Sequence, residues 1–224
     1  DGKVLLTIGL PGRAAPFMSG DPFNRCTHTA LSPQGDIYVS DGYGNARIHK
    51  YAPDGRRLMC WGAPGSDPGQ FNLPHNVTCD ADGWVYVADR ENHRVQVFDG
   101  NGKYETQWNN LHRPSALFMP PGRCPICSIG ECGPVMPVNR RTGNLGPRVT
   151  IVDHKGNRLG RLGGEGGGGN EAGKFISPHG IAVDSAGSIY VGEVSYTAWP
   201  NLFGSDVPIP DPLCSLQKLG RVTD

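Results

Sequence analysis

Four residues in this chain of 224 have types and neighbours suited to chemistry: Tyr43, His75, Arg90 and His179. His75 and His179 each follow a proline, in Leu73-Pro74-His75 and in Ser177-Pro178-His179-Gly180. Neutral imidazole is a common nitrogen ligand for zinc. The same Pro-His pair can equally cap the start of a strand and hydrogen-bond a neighbouring loop. Tyr43 sits in Asp41-Gly42-Tyr43-Gly44-Asn45. A phenol with an unperturbed pKa of about 10 acts as a base near neutral pH only where cations favour the phenolate; otherwise this tyrosine closes a turn. Arg90, in Val87-Ala88-Asp89-Arg90-Glu91-Asn92, is a candidate for that cation, and its planar fork also suits a carboxylate.

Other groups point to structure. Asp41 and Asp89 each end an apolar run and precede Arg47 and Arg94, so each aspartate is expected to pair with the arginine that begins the next strand. Cys124-Pro125-Ile126-Cys127 has the inner spacing of a zinc or redox pair, but no second cysteine pair or nearby histidine completes it. The glycine run at 163–169 neither follows a strand into a helix nor carries a phosphate-loop pattern, and is expected to link two strands.

The elements that position these residues come from a repeat. Gly35-Asp36-Ile37-Tyr38-Val39-Ser40-Asp41 returns as Gly83-Trp84-Val85-Tyr86-Val87-Ala88-Asp89 and as Gly187-Ser188-Ile189-Tyr190-Val191-Gly192-Glu193. The spacing is about 50 residues or twice that, within the range of propeller blades. Each unit predicts four short strands. The second carries the tyrosine, the third begins near Ala46, His93 or Arg148, and Asp-Gly or Asn-Gly turns lead into the fourth. The fold class is therefore all-β, an NHL-type β-propeller with about four blades in this chain. The blades are expected at 23–62, 71–109, 112–163 and 174–224, with 1–22 holding the fourth strand of an incomplete blade and a linker. Either that strand closes a four-bladed ring or the chain is part of a larger propeller.

These repeats resemble NHL repeats. The segments around Tyr43, Pro68-Gly69-Gln70-Phe71-Asn72-Leu73-Pro74-His75, Val87 to Asn92 and Ser177 to Ile181 resemble, more narrowly, the peptidyl-α-hydroxyglycine α-amidating lyase (peptidylamidoglycolate lyase) family. The resemblance implies a six-bladed, metal-dependent lyase that cleaves a carbinolamide to an amide and glyoxylate. It implies Zn2+ held by His75 and His179 with a third histidine that has no match here, Tyr43 as general base, and Arg90 as partner of the phenolate and the substrate. Three positions depart from the family. Cys26-Thr27-His28 occupies a Pro-His slot with its histidine one residue late. Gly180 replaces an aspartate that binds structural Ca2+, which counts against calcium. Gly44 replaces a disulfide cysteine, as in the less disulfide-dependent, bacterial-type members.

Composition narrows the partners. The chain carries 21 basic and 21 acidic residues, mixed along its length, which argues against nucleic acid or an anionic membrane and leaves a small-molecule or peptide substrate and a monomer as the expectation. No apolar run approaches the roughly 20 residues that span a bilayer, and the compartment stays open. Seven cysteines, an odd number, argue against a fully paired disulfide framework. Two rivals to a lyase remain: a non-catalytic propeller that binds a protein or peptide, and a metal-dependent lactonase, which would recruit carboxylate ligands.

Overall fold

The computed structural model describes residues 2–21, 23–120, 126–163 and 167–221. The described residues divide into two compact units, one within 2–107 and the other formed by 108–120, 126–163 and 167–221.

The first unit contains two antiparallel sheets, each with its strands in sequence order. One is built from β1 (His28–Leu31), β2 (Ile37–Asp41), β3 (Arg47–Tyr51) and β4 (Arg57–Trp61). The other is built from β5 (Pro74–Cys79), β6 (Val85–Asp89), β7 (Arg94–Phe98) and β8 (Tyr104–Trp108), whose last residue lies across the unit boundary. Alternation along the strands places Tyr38, Ile48, Val77, Val85, Val87 and Phe98 in one buried cluster. Phe71, on the connection into β5, fills the cluster and lies so close to Gly62 that a Cβ there would sit 2.6 Å from its ring. The φ of 103° at Gly62 suits only glycine as well.

The second unit repeats the plan. β9 (Pro114–Phe118), β10 (Ile126–Glu131), β11 (Arg148–Asp153) and β12 (Arg158–Gly163) form one sheet. β13 (Pro178–Val183), β14 (Ile189–Glu193) and β15 (Leu216–Leu219) form a three-stranded one. Phe175 takes the role of Phe71, packed with Val149 and Val191 and 2.6 Å from a Cβ built on Gly163. Between β14 and β15 lies α1 (Ser195–Phe203), an element outside the four-strand repeat.

Single-order antiparallel sheets of this kind are propeller blades, and the fold is that of a β-propeller. Blades one to three have the four expected strands. Among the described residues 2–21 there is no strand, although the first nine residues share the fourth-strand pattern. In the three four-stranded sheets the fourth strand pairs with the third strand just before it in sequence.

One carboxylate closes the second strand of every sheet, buried in three of them and partly buried in the fourth. Asp89 Oδ1 accepts the Asn72 backbone N–H at 2.7 Å, while Oδ2 accepts from Asn92 Nδ2 at 2.8 Å, Arg94 Nε at 2.9 Å and Gln96 Nε2 at 3.1 Å. Burial pushes the Asp89 carboxyl above its ordinary value, against the pull of these donors. The Asp89–Arg94 pair is as expected; Asp41 differs. Its partners are Asn24 N–H, Asn45 Nδ2 and His49 Nε2, whereas the Arg47 guanidinium lies against Gly20. His49 lies two residues beyond Arg47 on the same face of β3 and reaches the carboxylate first.

Removing Asp89 strands the buried Arg94 charge. Asp89→Ala is expected to lower unfolding free energy by about 3–5 kcal/mol in urea titrations, with Asp89→Asn losing less. A loss under about 1 kcal/mol for the alanine variant would contradict the clamp.

Candidate functional site

The site in the first unit is built by two local devices. The first is a bulge in the opening strand. In the pairing of β5 with β6, Pro74 opposes Asp89 and Asn76 opposes Ala88, so His75 is the extra residue. Bulges redirect a side chain out of the pleat and are frequent beside active sites. The second is the turn that leaves β2. A Cβ on Gly42 would fall 2.2 Å from the Pro74 carbonyl oxygen, so only glycine lets this turn pass so close to β5. The next residue is Tyr43, carried above the bulge.

The result is a three-residue cluster. Tyr43 Oη lies 3.4 Å from His75 Nε2, at the long end of hydrogen bonding, with the rings edge to face and centroids 5.9 Å apart. Arg90 Nη1 donates to Tyr43 Oη at 3.3 Å, and the Arg90 guanidinium carbon stands 5.5 Å from the phenol centroid. Arg90 follows the clamp residue Asp89, and its backbone N–H is tied to the Leu73 carbonyl at 3.2 Å. Its Nε donates to Glu91 Oε1 at 2.8 Å, which offsets part of its charge. His75 and Arg90 are buried, at 6% and 7% exposure, while Tyr43 is 42% exposed and so reaches solvent. A phenol held between a guanidinium and an imidazole, with one side open, can exchange a proton with a bound hydroxyl.

Gly44 also has a structural reason. A Cβ there would meet Asn24 Cγ at 2.1 Å, and Asn24 Nδ2 holds the Ala15 carbonyl at 2.7 Å. An asparagine fills the space that a side chain at position 44 would need.

His179 belongs to the second unit. It too is a bulge residue, with Pro178 opposing Glu193 and Gly180 opposing Gly192. Its Nδ1 lies 3.5 Å from Cys132 Sγ, which also contacts Ser115 Oγ at 2.9 Å and Ser177 Oγ at 3.1 Å. Ser115 is the bulge residue of β9 and donates to the Pro178 carbonyl at 2.8 Å. Thr27 does the same in the first unit, donating to the Pro74 carbonyl at 2.9 Å. The bulge slot of the first blade is therefore Thr27. His28 is one step on, in β1, with Nδ1 3.1 Å from the Val77 carbonyl and its pKa lowered by burial.

The sequence points to Cys132 only as a neighbour of the Cys124/Cys127 pair and does not mark it or Ser115 as companions of His179. Arg113-Pro114-Ser115-Ala116 does repeat Leu73-Pro74-His75-Asn76, and Glu131-Cys132 repeats Asp89-Arg90. The readable signal was the proline and the acid, not the chemically active residue. Of the cysteine pair, Cys127 is fully buried in β10 with its thiol pushed up to about 12 by burial, while Cys124 lies outside the described residues. The six described cysteines are free thiols. Among the described residues no three His, Cys, Asp or Glu side chains gather to hold a metal ion. A catalytic zinc takes three protein ligands, so the described residues do not complete such a site.

A sequence profile of the NHL repeat matches residues 23–51 and 71–98. The chain is an NHL-repeat β-propeller. It is 33% identical over 178 residues to human NHL repeat-containing protein 3, covering 69% of this chain and 51% of that protein. It is 44% identical over 205 residues to peptidyl-glycine alpha-amidating monooxygenase B of Xenopus laevis, covering 84% and 21%. It is 37% identical over 134 residues to peptidyl-alpha-hydroxyglycine alpha-amidating lyase 1 of Drosophila melanogaster, covering 53% and 23%. Within the NHL propellers it is thus related to the amidating lyases, and it spans about half the length or less of these relatives. Among solved structures, hydrazine synthase of Kuenenia stuttgartiensis aligns with a TM-score of 0.57 at 11% identity, over 81% of this chain and 46% of that one, a likeness of fold. No helix among the described residues is long and apolar enough to cross a membrane.

The burial of Cys127 has a direct check. Alkylation of the folded chain at pH 8 followed by peptide mapping is expected to leave Cys127 unmodified and to label the exposed Cys26, with Cys127 reacting only in denaturant. Labelling of Cys127 at the same rate as Cys26 would contradict its placement.

Proposed function

We propose that the chain carries part of a lyase site for peptidyl-α-hydroxyglycine-type carbinolamides, yielding an amide and glyoxylate. The observation that supports this reading most strongly is Tyr43 Oη between Arg90 Nη1 at 3.3 Å and His75 Nε2 at 3.4 Å. The relatives named as amidating enzymes support it from the sequence side.

In this reading the substrate's terminal carboxylate docks on the Arg90 fork. Arg90 Nη1 holds Tyr43 Oη in place, and Tyr43 takes the proton of the substrate hydroxyl. The oxygen lone pair forms the aldehyde carbonyl as the C–N bond breaks. The departing amide nitrogen receives the bond's electron pair and takes a proton back from Tyr43, so one proton moves and none is consumed. Glu91 tempers the Arg90 charge. A zinc ion, where bound, would supply Lewis acidity at the substrate oxygen; His75 and His179 are the proposed histidine ligands, and calcium has no proposed role.

Glyoxylate release from a dansyl-peptidyl-α-hydroxyglycine tests this reading. The expected result is turnover that falls about 100-fold or more in Tyr43→Phe, in line with loss of a general base, with Arg90→Ala raising KM as well. Elemental analysis of the wild type and of His75→Ala and His179→Ala measures whether either histidine holds zinc. No glyoxylate from the wild type with zinc supplied would overturn the lyase reading.

That result would favour the second reading, a non-catalytic binding propeller. It is supported by the lack of a three-ligand cluster among the described residues and by similarity to human NHL repeat-containing protein 3.

A further inference from the structure

Basic and acidic residues are equal in number over the chain, but residues 140–161 hold five arginines against one aspartate, and all five line one cavity of the second unit. Arg140, Arg141, Arg148, Arg158 and Arg161 line a space of about 1120 Å³, and no acidic side chain lines it among the described residues. Glu165 lies outside the described residues.

The arginines differ in how their charge is met. Arg148 is buried and neutralised: Nε donates to Glu131 Oε1 at 2.8 Å and Nη2 to Oε2 at 2.7 Å. The other four have no carboxylate partner among the described residues. Arg161 is held by neutral acceptors, with Nη1 on Asn144 Oδ1 at 2.9 Å and Nη2 on the Asn110 carbonyl at 2.9 Å. Arg148 Nη1 donates to that same Asn144 oxygen at 2.7 Å, so two guanidinium groups share one acceptor. Arg140 is tied to the Asn201 and Pro200 carbonyls at 2.6 and 3.0 Å. Arg141 and Arg158 are exposed. Burial lowers the basicity of Arg161, the charges of Arg148 and Arg158 lower it further, and the Glu131 carboxylate pulls it back up in part. Like charges held together by neutral acceptors are a standing cost that a bound anion would relieve.

We propose that this cavity binds a small molecule bearing several phosphate or sulfate groups. Guanidinium forks match such tetrahedral oxyanions bidentately, and forks already oriented by carbonyl and amide oxygens lose little freedom on binding. The volume exceeds what one inorganic anion fills. Among the described residues Leu202 is the one apolar side chain of the lining and no aromatic ring lines it, so they offer no platform for stacking bases. The chain is thereby given an anion site separate from Tyr43, His75 and Arg90, and it stands whether or not the lyase reading does.

The test is calorimetric titration of the full chain with sucrose octasulfate and, separately, inorganic tripolyphosphate in 50 mM salt, with sucrose as the uncharged control. One-to-one binding of at least one probe is expected, weakening about tenfold in 300 mM salt as screening shortens the range of the charges. Which probe binds more tightly tells sulfate from phosphate ligands. Arg141→Ser/Arg158→Ser removes two exposed side chains and is expected to keep the thermal midpoint while losing about tenfold or more in affinity. Arg158→Glu is expected to lose affinity in the same direction. No binding of either probe at 1 mM, or unchanged affinity in both variants, would overturn the proposal. So would tighter binding of a single-stranded oligonucleotide that survives both variants.

Discussion

A carboxylate buried at the end of a strand is the constraint on which the rest of this structure depends. Asp41, Asp89 and Glu131 are fully buried and Glu193 partly so, each at the end of the second strand of its sheet. Each accepts a backbone N–H from the loop that enters the first strand: Asn24, Asn72, His112 and Ile176 respectively. An unpartnered charge at such a depth costs several kcal/mol, so each is surrounded by donors. The donors vary while the geometry holds. Asp41 uses Asn45 and His49, Asp89 uses Arg94 and Gln96, Glu131 uses Arg148 and Thr150, and Glu193 uses Gln217.

Site chemistry hangs on that clamp from two sides. Tying the entering loop to the second strand sets where the first strand begins, and with it the residue that bulges: His75 in the second sheet, Ser115 in the third and His179 in the fourth. On the other side, the residue after the carboxylate leaves the sheet from a fixed point. There the chain places Gly42, Arg90 or Cys132, and these decide what stands near the bulged residue. In the first unit, Gly42 lets Tyr43 approach His75 and Arg90 completes the group. In the second, Cys132 occupies the slot of Arg90 and faces His179. One scaffold thus presents two different sets of side chains, and only the first has the phenol and guanidinium suited to moving a proton.

Much of this was legible in the sequence because the signals are local. Gly-x-Ile-Tyr-Val segments and the Asp-Gly and Asn-Gly turns mark the second to fourth strands, since the turns demand positive φ and the strands alternate. Tyr43, His75 and Arg90 could be named from their neighbours, and the structure brings all three together. What escaped depended on contacts distant in sequence. β9 and β10 lack the Asp-x-x-Gly turn between them, so the first two strands expected of that blade have no bounds marked in the sequence. α1 carries Pro200 inside it and gave no periodic signal. The exchange of Arg47 for His49 at Asp41 follows from which side chain reaches the carboxylate, and strand alternation alone does not decide that. The arginines around the cavity all fall within residues 140–161, a local excess that the balanced totals of the whole chain conceal.

The clamp is tested most directly by amide hydrogen exchange resolved by residue. The loop amides of Asn24, Asn72, His112 and Ile176 lie outside the ladders, yet each donates to a carboxylate that is buried or nearly so. The account predicts protection comparable to that of core strand amides such as Val87 and Ile129, because exposing them requires breaking the clamp. Exchange of these four at the rate of the turn amides Asp82 and Ala186 would contradict it, and would leave the strands held by pairing alone.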